Sequence, residues 1–132
     1  MKQNKYLHRD KKLSPSREEY LKAIYNLSER TQFVRSIDIA FYLGVSKPSV
    51  HSAVTILQEE GLVIKPLGGK IQLTNKGRKQ GEIIKTKYQI IKQFLIICCD
   101  VNELTASVDA CKMEHIISND AILALKKYLE LK

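Results

Sequence analysis

The stretch Ile37–Leu57, IDIAFYLGVSKPSVHSAVTIL, decides the fold. Its apolar residues recur at the spacing of two helices that pack tightly through a sharp turn. Ala40 is small enough for the next helix to pass close to it, and Gly44 permits the turn because it lacks a Cβ atom. Val45 and Val50 are expected to fill the angle between the helices. The segment therefore predicts a helix-turn-helix.

Capping residues predict the bounds of these two helices. Ser36 is expected to cap a short helix that ends at Leu43. Ser46 is expected to open the second helix, which runs to Glu60 with Pro48 in its first turn. Upstream, Ser14 with Pro15 predicts the start of a first helix, whose apolar stripe comprises Tyr20, Leu21, Ile24, Tyr25 and Leu27.

A β-hairpin is predicted directly after the second helix of the motif. Residues 62–66 and 70–74 are the predicted strands, and they flank a Leu-Gly-Gly turn at 67–69. A helix-turn-helix followed by a hairpin of this length is typical of a winged helix-turn-helix. The combination is more specific than either half, although a purely structural helix pair with a hairpin remains an alternative.

The net charge of the chain is distributed unevenly. The 132 residues carry a formal net charge of +8; residues 1–80 hold 15 Lys and Arg against 7 Asp and Glu, whereas residues 81–132 hold 7 of each. A localised basic excess is typical of a protein that displaces counterions from nucleic-acid phosphates, although a solvated basic face explains it equally well. Together with the helix-turn-helix, the charge predicts double-stranded DNA as the partner.

Simpler features argue against a membrane or secreted protein. The longest apolar run, Phe94–Cys99, is far too short to cross a bilayer, and the basic N-terminus lacks the apolar core of a secretory signal. Three cysteines in a chain without an export signal indicate free thiols rather than a disulfide framework. We therefore expect a cytoplasmic protein with no membrane partner and no small-molecule substrate.

The second helix of the motif is the predicted recognition helix. Val50, Val54 and Leu57 are expected to face inward, which leaves a polar side for the major groove. Hydroxyls, a lysine and a proline at a helix N-terminus suit phosphate anchoring and contact with thymine methyl groups. With Arg35 and two wing lysines as backbone contacts, the predicted DNA-binding residues are Arg35, Ser46, Lys47, Pro48, Ser49, His51, Ser52, Thr55, Lys65 and Lys70.

Three longer helical segments are predicted to follow, at about 75–99, 102–117 and 119–131, the last capped by Ser118. Their apolar side chains exceed what three helices can bury alone. A second copy of the chain is expected to cover the remainder.

A second constellation lies at Cys111-Lys112-Met113-Glu114-His115. On a helix, positions 111, 114 and 115 project from one face, so a thiol, a carboxylate and an imidazole come close together. These are metal-ligand types. A small buried cysteine beside a surface Glu–His pair fits the same residues, and the residues alone leave both interpretations open.

From about Ser16 to Leu129 the chain resembles the diphtheria-toxin-repressor family of iron- and manganese-dependent regulators. The resemblance is carried by Glu19-Tyr20-Leu21 with Ile24-Tyr25, Ile39-Ala40 through Val50, Glu60-Gly61-Leu62-Val63, Leu73-Thr74 with Gly77, and Ala110 through His115 with Ser118. It implies a homodimer on a palindromic operator that represses metal-uptake genes. Longer members add an SH3-like domain, and this chain is similar to the short form without it.

The resemblance also implies a set of metal ligands. Cys111, Glu114 and His115 are the implied ligands, and Glu19 stands where the family supplies a fourth from the first helix. A ligand on the DNA-binding part would let a metal hold the two parts together. Cys111 replaces a carboxylate of manganese-type members, and a thiolate favours softer ions. Fe(II) is therefore the expected ion, with Mn(II), Zn(II), Co(II) and Ni(II) as alternatives.

This sequence departs from the family at a second metal position. Tyr88 stands where the family has a histidine, Lys92 where it has a carboxylate, and Ser107 where iron-type members have a histidine. The resemblance thus implies a degenerate second site and one metal per subunit, with the Lys92 ammonium supplying part of the missing positive charge. Alternatively, Tyr88 and Lys92 are ordinary packing and surface residues.

The expected fold class is mainly α with a small β-hairpin. It comprises a flexible basic arm at 1–13, a winged helix-turn-helix domain at 14–74, and a helical linker, metal-binding and dimerisation domain at 75–132. The expected function is a metal-dependent repressor; the alternative is a regulator of the same family that is metal-independent or answers another signal. Cys111 and His115 do not predict an enzyme, because neither an oxyanion hole nor a group to orient the histidine accompanies them.

Overall fold

Helices dominate the described residues, 16–66 and 68–131, of the computed structural model. The chain divides between Gln72 and Leu73 into two units. The first contains α1 (Arg17–Ser28), β1 (Val34–Arg35), α2 (Ser36–Leu43), α3 (Lys47–Glu59), β2 (Val63–Ile64) and β3 (Lys70–Leu73), whose final residue lies just past the division. The second contains α4 (Asn75–Ile97), α5 (Glu103–Met113) and α6 (Asn119–Glu130). The predicted fold class is confirmed.

Helix α1 begins after Ser16. The Ser16 hydroxyl accepts a hydrogen bond from the Glu19 N–H, and the Glu19 carboxylate accepts one from the Ser16 N–H, each at 3.2 Å. This reciprocal capping box satisfies two amide groups that the helix leaves open. The prediction that Ser14 starts the helix is wrong, because Ser16 is the cap; Ser14, Pro15 and the arm at 1–13 lie outside the described residues.

The turn between α2 and α3 follows the sequence pattern. Gly44 ends α2 in the left-handed region at a φ of 67°, and the Val45 N–H donates to the Ala40 carbonyl at 3.0 Å. The start of α2 differs from the prediction. Arg35, not Ser36, holds the cap position, because the Asp38 carboxylate accepts a hydrogen bond from the Arg35 N–H at 3.0 Å.

Helix α3 has the orientation that its sequence predicts. The Ser46 hydroxyl caps it by accepting a hydrogen bond from the Ser49 N–H, and Pro48 lies in its first turn. Val50, Val54 and Leu57 are at most 1% exposed, which confirms the predicted inward face. Burial of these three side chains leaves the opposite, polar face of α3 in solvent.

The sheet contains three strands in the order β1-β3-β2. The wing hairpin was predicted, but β1 was not. This strand pairs antiparallel with β3, Val34 opposite Ile71 and Arg35 opposite Lys70. Val34 and Ile71 are fully buried, so the strand anchors the wing to the core of the first unit.

The second unit is a helical cluster around Ile91, Ala110 and Ile122. Side-chain caps start each of its helices: Thr74, Asn102 and Ser118 accept hydrogen bonds from backbone N–H groups three residues on. The predicted Ser118 cap is confirmed. Helix α5 ends at Met113, earlier than the predicted residue 117, so Glu114 and His115 follow the helix instead of lying within it. Among the described residues, no helix is long and apolar enough to span a bilayer.

Candidate DNA-binding surface and metal site

The predicted reading face of α3 is solvent-exposed. Lys65 and Lys70 of the wing are half-buried, and the remaining predicted DNA-binding residues are all exposed: Arg35, Ser46, Lys47, Pro48, Ser49, His51, Ser52 and Thr55. The N-terminus of the helix directs the positive end of its dipole outward beside Lys47, while Pro48 has no N–H and the Ser49 N–H donates to the Ser46 hydroxyl. This arrangement suits a phosphate.

Three of these hydroxyls also make local hydrogen bonds. Ser46 Oγ and Ser49 Oγ lie 2.9 Å apart at the cap, and Thr55 Oγ1 donates to the His51 carbonyl at 2.9 Å. Such contacts fix the side-chain rotamers before any ligand binds. Sequence reasoning placed these residues on the face but did not predict that they brace one another.

The wing presents two neighbouring cations. Arg35 and Lys70 are cross-strand partners in β1 and β3, and the Lys70 ammonium lies 4.2 Å from the centroid of the Phe33 ring. Like charges directly opposite each other on a sheet repel, so a nearby anion would stabilise the pair. Phe33 was missed by sequence reasoning, because its role depends on a strand pairing that short-range periodicity does not reveal.

Burial perturbs one ionisable group in α1. Tyr20 is 4% exposed, and this burial raises the pKa of its hydroxyl above the ordinary value of 10.0, with the Glu19 charge as a second cause. The neutral phenol is therefore the form that fits the core of the first unit.

In the second unit, the structure brings Glu114 and His115 together. Glu114 is 1% exposed, and its Oε2 atom lies 3.5 Å from His115 Nε2. Cys111, one turn earlier, is exposed and forms no disulfide. The prediction that the three groups share one face is thus only partly met, because the buried carboxylate and the exposed thiol differ in environment.

The donor chemistry of this segment fits a transition-metal ion. A buried carboxylate beside an imidazole, with a thiol one turn away, offers the ligand types that Fe(II), Zn(II) and Co(II) take. Glu19, the predicted fourth ligand, belongs to the first unit, where its carboxylate serves the capping box of α1. Across residues 16–66 and 68–131, no three His, Cys, Asp or Glu side chains are gathered in a metal-binding arrangement.

The three residues of the degenerate second position contact one another or their neighbours. Tyr88 Oη lies 2.7 Å from Ser107 Oγ, and Lys92 Nζ lies 3.5 Å from Glu103 Oε1. Lys92 Nζ is also 6.0 Å from the centroid of the Tyr88 ring. These side chains therefore connect α4 directly to α5.

Large apolar side chains remain exposed on the helical unit. An open groove of about 580 Å³ is lined by residues that include the exposed Ile83 and Leu123 and the buried Ile122. Further large apolar side chains at least 48% exposed in this unit are Ile97, Leu104, Val108, Ile116, Tyr128 and Leu131. This uncovered surface suits association with another protein chain.

The fold and these sites define a class: a winged helix-turn-helix DNA-binding unit joined to a helical unit that carries metal-ligand side chains. Two family models match the chain, "Iron dependent repressor, N-terminal DNA binding domain" over residues 12–66 and "Iron dependent repressor, metal binding and dimerisation domain" over residues 74–131. The chain belongs to the iron-dependent repressor family.

Individual relatives agree with this assignment. The chain is 33% identical over 120 residues to MJ0568 of Methanocaldococcus jannaschii, an uncharacterised helix-turn-helix transcriptional regulator, covering 89% of this chain and 95% of that one. It is 30% identical to the diphtheria toxin repressor of Corynebacterium diphtheriae, covering 91% of this chain and 53% of the repressor. The structure of the manganese regulator SloR superposes with a TM-score of 0.79 at 32% identity, covering 91% of this chain and 56% of SloR.

Family membership settles the coarse questions that the sequence raised. The resemblance to metal-dependent repressors is confirmed, as are a DNA-binding domain and a metal-binding and dimerisation domain. Members of this family are transcriptional repressors and not enzymes. The chain spans little more than half the length of the diphtheria toxin repressor and of SloR.

Proposed function

We propose that this protein represses metal-uptake genes in the cytoplasm by binding a palindromic operator as a homodimer when a divalent metal is present. The observation that carries the proposal is the buried Glu114 carboxylate 3.5 Å from His115, inside the domain that matches the metal-binding model. A buried carboxylate beside an imidazole is a pair of ligand types that divalent transition metals take. Neither a membrane nor a small-molecule substrate is part of the proposal.

The proposed ligands are Cys111, Glu114, His115 and Glu19, with one metal per subunit. When bound, the ion would supply a positive charge that these ligands hold in place. The Cys111 thiolate favours Fe(II) as the ion, ahead of Zn(II), Co(II) and Ni(II). Manganese, the metal of the manganese regulator SloR, is the ion that this thiol disfavours most.

The proposed DNA contacts divide into two kinds. Lys47 and the N-terminus of α3 bind phosphate, as do Arg35, Lys65 and Lys70 around the wing. Pro48, His51 and Ser52, with Ser46, Ser49 and Thr55, face the base edges and sugars. Few of these side chains can read a base bidentately, so each half-site is expected to discriminate modestly, and a dimer improves this by reading two.

Metal-dependent DNA binding tests the proposal directly. Binding to the protein's own promoter region is measured by footprinting with Fe(II), Mn(II), Zn(II) and chelator in parallel. Cys111→Ser is compared with Cys99→Ser, since both cysteines of the helical unit are exposed and outside any disulfide. We expect chelator to abolish a two-fold-symmetric footprint and Cys111→Ser, but not Cys99→Ser, to raise the Fe(II) requirement. Equal responses of the two variants would remove the thiol from the ligand set.

One observation favours the metal-independent alternative. Glu19 has a complete structural role as the capping partner of Ser16, and this role alone accounts for a glutamate at that position. A regulator of the same family that binds DNA constitutively, or in answer to another signal, would give the same footprint with Fe(II) and with chelator.

A further inference from the structure

Four polar side chains form two rungs between α4 and α5. Tyr88 and Lys92 lie one turn apart on α4, and Glu103 and Ser107 lie one turn apart on α5. Tyr88 bonds to Ser107 at 2.7 Å, and Lys92 pairs with Glu103 at 3.5 Å. The two pairs run in opposite order along the helices, as the side chains of antiparallel neighbours do. We call this set the polar ladder.

We propose that the polar ladder fastens α4 to α5 without a metal and that no second ion binds there. A phenol and an aliphatic hydroxyl are weak ligands when neutral, and each here already satisfies the other. The Lys92 ammonium, 6.0 Å from the Tyr88 ring centroid, repels a divalent cation at the same place. Glu103 is the one carboxylate of the ladder, and it is paired with Lys92.

The two rungs differ in strength. The Tyr88–Ser107 hydrogen bond is short and partly buried, so water competes with it weakly. The Lys92–Glu103 pair is weaker, because the Glu103 side chain is 79% exposed and water screens the charges. The Tyr88–Ser107 hydrogen bond is therefore the contact that chiefly holds α4 to α5, and Lys92 chiefly provides a positive charge.

The consequence of the polar ladder for regulation rests on the proposed function: if no second ion binds, metal control would act through the 111–115 segment alone. The α4–α5 link itself needs neither metal nor DNA. Its first test is a double-mutant cycle measured in the presence of chelator. The result can therefore refute the α4–α5 link without refuting the proposed function, and the proposed function can fail without refuting the link.

The cycle uses Tyr88→Phe, Ser107→Ala and the double variant, each unfolded in urea at one fixed protein concentration. Each single variant is expected to raise the unfolding equilibrium constant roughly 2- to 10-fold, the worth of one hydrogen bond. The double variant should differ little from the single ones, because either change breaks the same bond. Additive losses, or none, would overturn the fastening. Lys92→Met should change stability less than Tyr88→Phe.

A gain-of-site experiment tests the exclusion of a second ion. The variant Tyr88→His/Lys92→Glu/Ser107→His places three ligand types where the polar ladder now stands. Calorimetric titration with Co(II) should show one more ion per subunit than the wild type binds. The matched control, Gln89→His/Gln93→Glu/Ser107→His, moves the two α4 ligands to neighbouring exposed positions and should gain none. A wild-type ion lost on Tyr88→Phe, or equal gains in both triple variants, would overturn the proposal.

Discussion

Replacing Glu19 by glutamine separates the two roles that this residue combines. Its carboxylate accepts a hydrogen bond from the Ser16 N–H at 3.2 Å, and in the proposed function it also binds metal. Glutamine keeps an oxygen that can accept the same hydrogen bond, since a capping box uses either residue. It lacks the negative charge that makes carboxylate a metal ligand. Alanine removes both properties.

The expected magnitudes of the two effects differ enough to distinguish the roles. An exposed capping hydrogen bond is worth about 1 kcal/mol, so Glu19→Ala should lower the free energy of unfolding by about that amount, and Glu19→Gln by roughly a third of it at most. Loss of a group that merely supports a ligand weakens metal binding about 10- to 100-fold, and loss of a ligand should cost at least as much. Both variants should therefore need at least about tenfold more Fe(II) for half-maximal DNA binding.

Two assays measure these effects independently. Urea unfolding in chelator gives the capping term, and fluorescence anisotropy of operator DNA against free Fe(II), under anaerobic conditions, gives the metal term. Glu18→Gln, one residue earlier in the same helix, is the control for lost charge. If Glu19→Gln responds to Fe(II) as the wild type does, while Glu19→Ala is merely less stable, Glu19 is a capping residue and not a ligand.

Three further predictions concern the DNA-binding unit. Burial and then the Glu19 charge raise the pKa of Tyr20 above 10.0, so the folded protein retains a proton that the unfolded chain releases. The free energy of unfolding, measured in urea, should therefore be at its full value below pH 10 and fall as the pH rises above it. The fall should be smaller in Tyr20→Phe. Gly44→Ala should lower the free energy of unfolding by about 1–2 kcal/mol in the same assay. The whole loss comes from the φ of 67°, since an added Cβ meets no atom within 4 Å. Gly44→Asn should lose less, and equal losses in the two variants would contradict a backbone origin. Lys47→Gln should make the negative slope of log DNA affinity against log salt concentration shallower by about 0.9, whereas the control Lys126→Gln should leave this slope unchanged.

Local pattern predicted most of the fold, and it failed where the outcome depends on competition or on distant partners. The apolar spacing of α3 is a property of one helix, so Val50, Val54 and Leu57 could be placed from sequence. The caps were harder to place because several polar residues compete: Ser16 is preferred over Ser14 because Glu19 closes the box. Strand β1 was invisible, since two residues acquire their pairing only from β3, far along the chain.

The candidate metal segment, residues 111–115, shows the same limit of sequence-based prediction more clearly. Sequence spacing identified Cys111, Glu114 and His115 as a candidate ligand set, but spacing on an ideal helix cannot predict where that helix ends. Helix α5 stops at Met113, yet the Glu114 N–H still donates to the Ala110 carbonyl, so Glu114 is buried one turn after the buried Ala110 while Cys111 is exposed. Burial is decided by the packing of neighbouring helices, which no one-turn pattern contains.

The substitutions at the second metal position illustrate what sequence and structure each contribute. The family resemblance implies that Tyr88, Lys92 and Ser107 replace metal ligands, yet it leaves open whether other contacts take the place of that site. The 2.7 Å contact between Tyr88 and Ser107 answers that question, because two hydroxyls at hydrogen-bonding distance join the helices directly. A bond between side chains is always present, whereas an ion binds only when its concentration suffices. In the proposed function, exchanging one for the other would remove one metal-dependent step from the regulator while keeping the helices together, and the 111–115 segment would be the place where metal concentration acts.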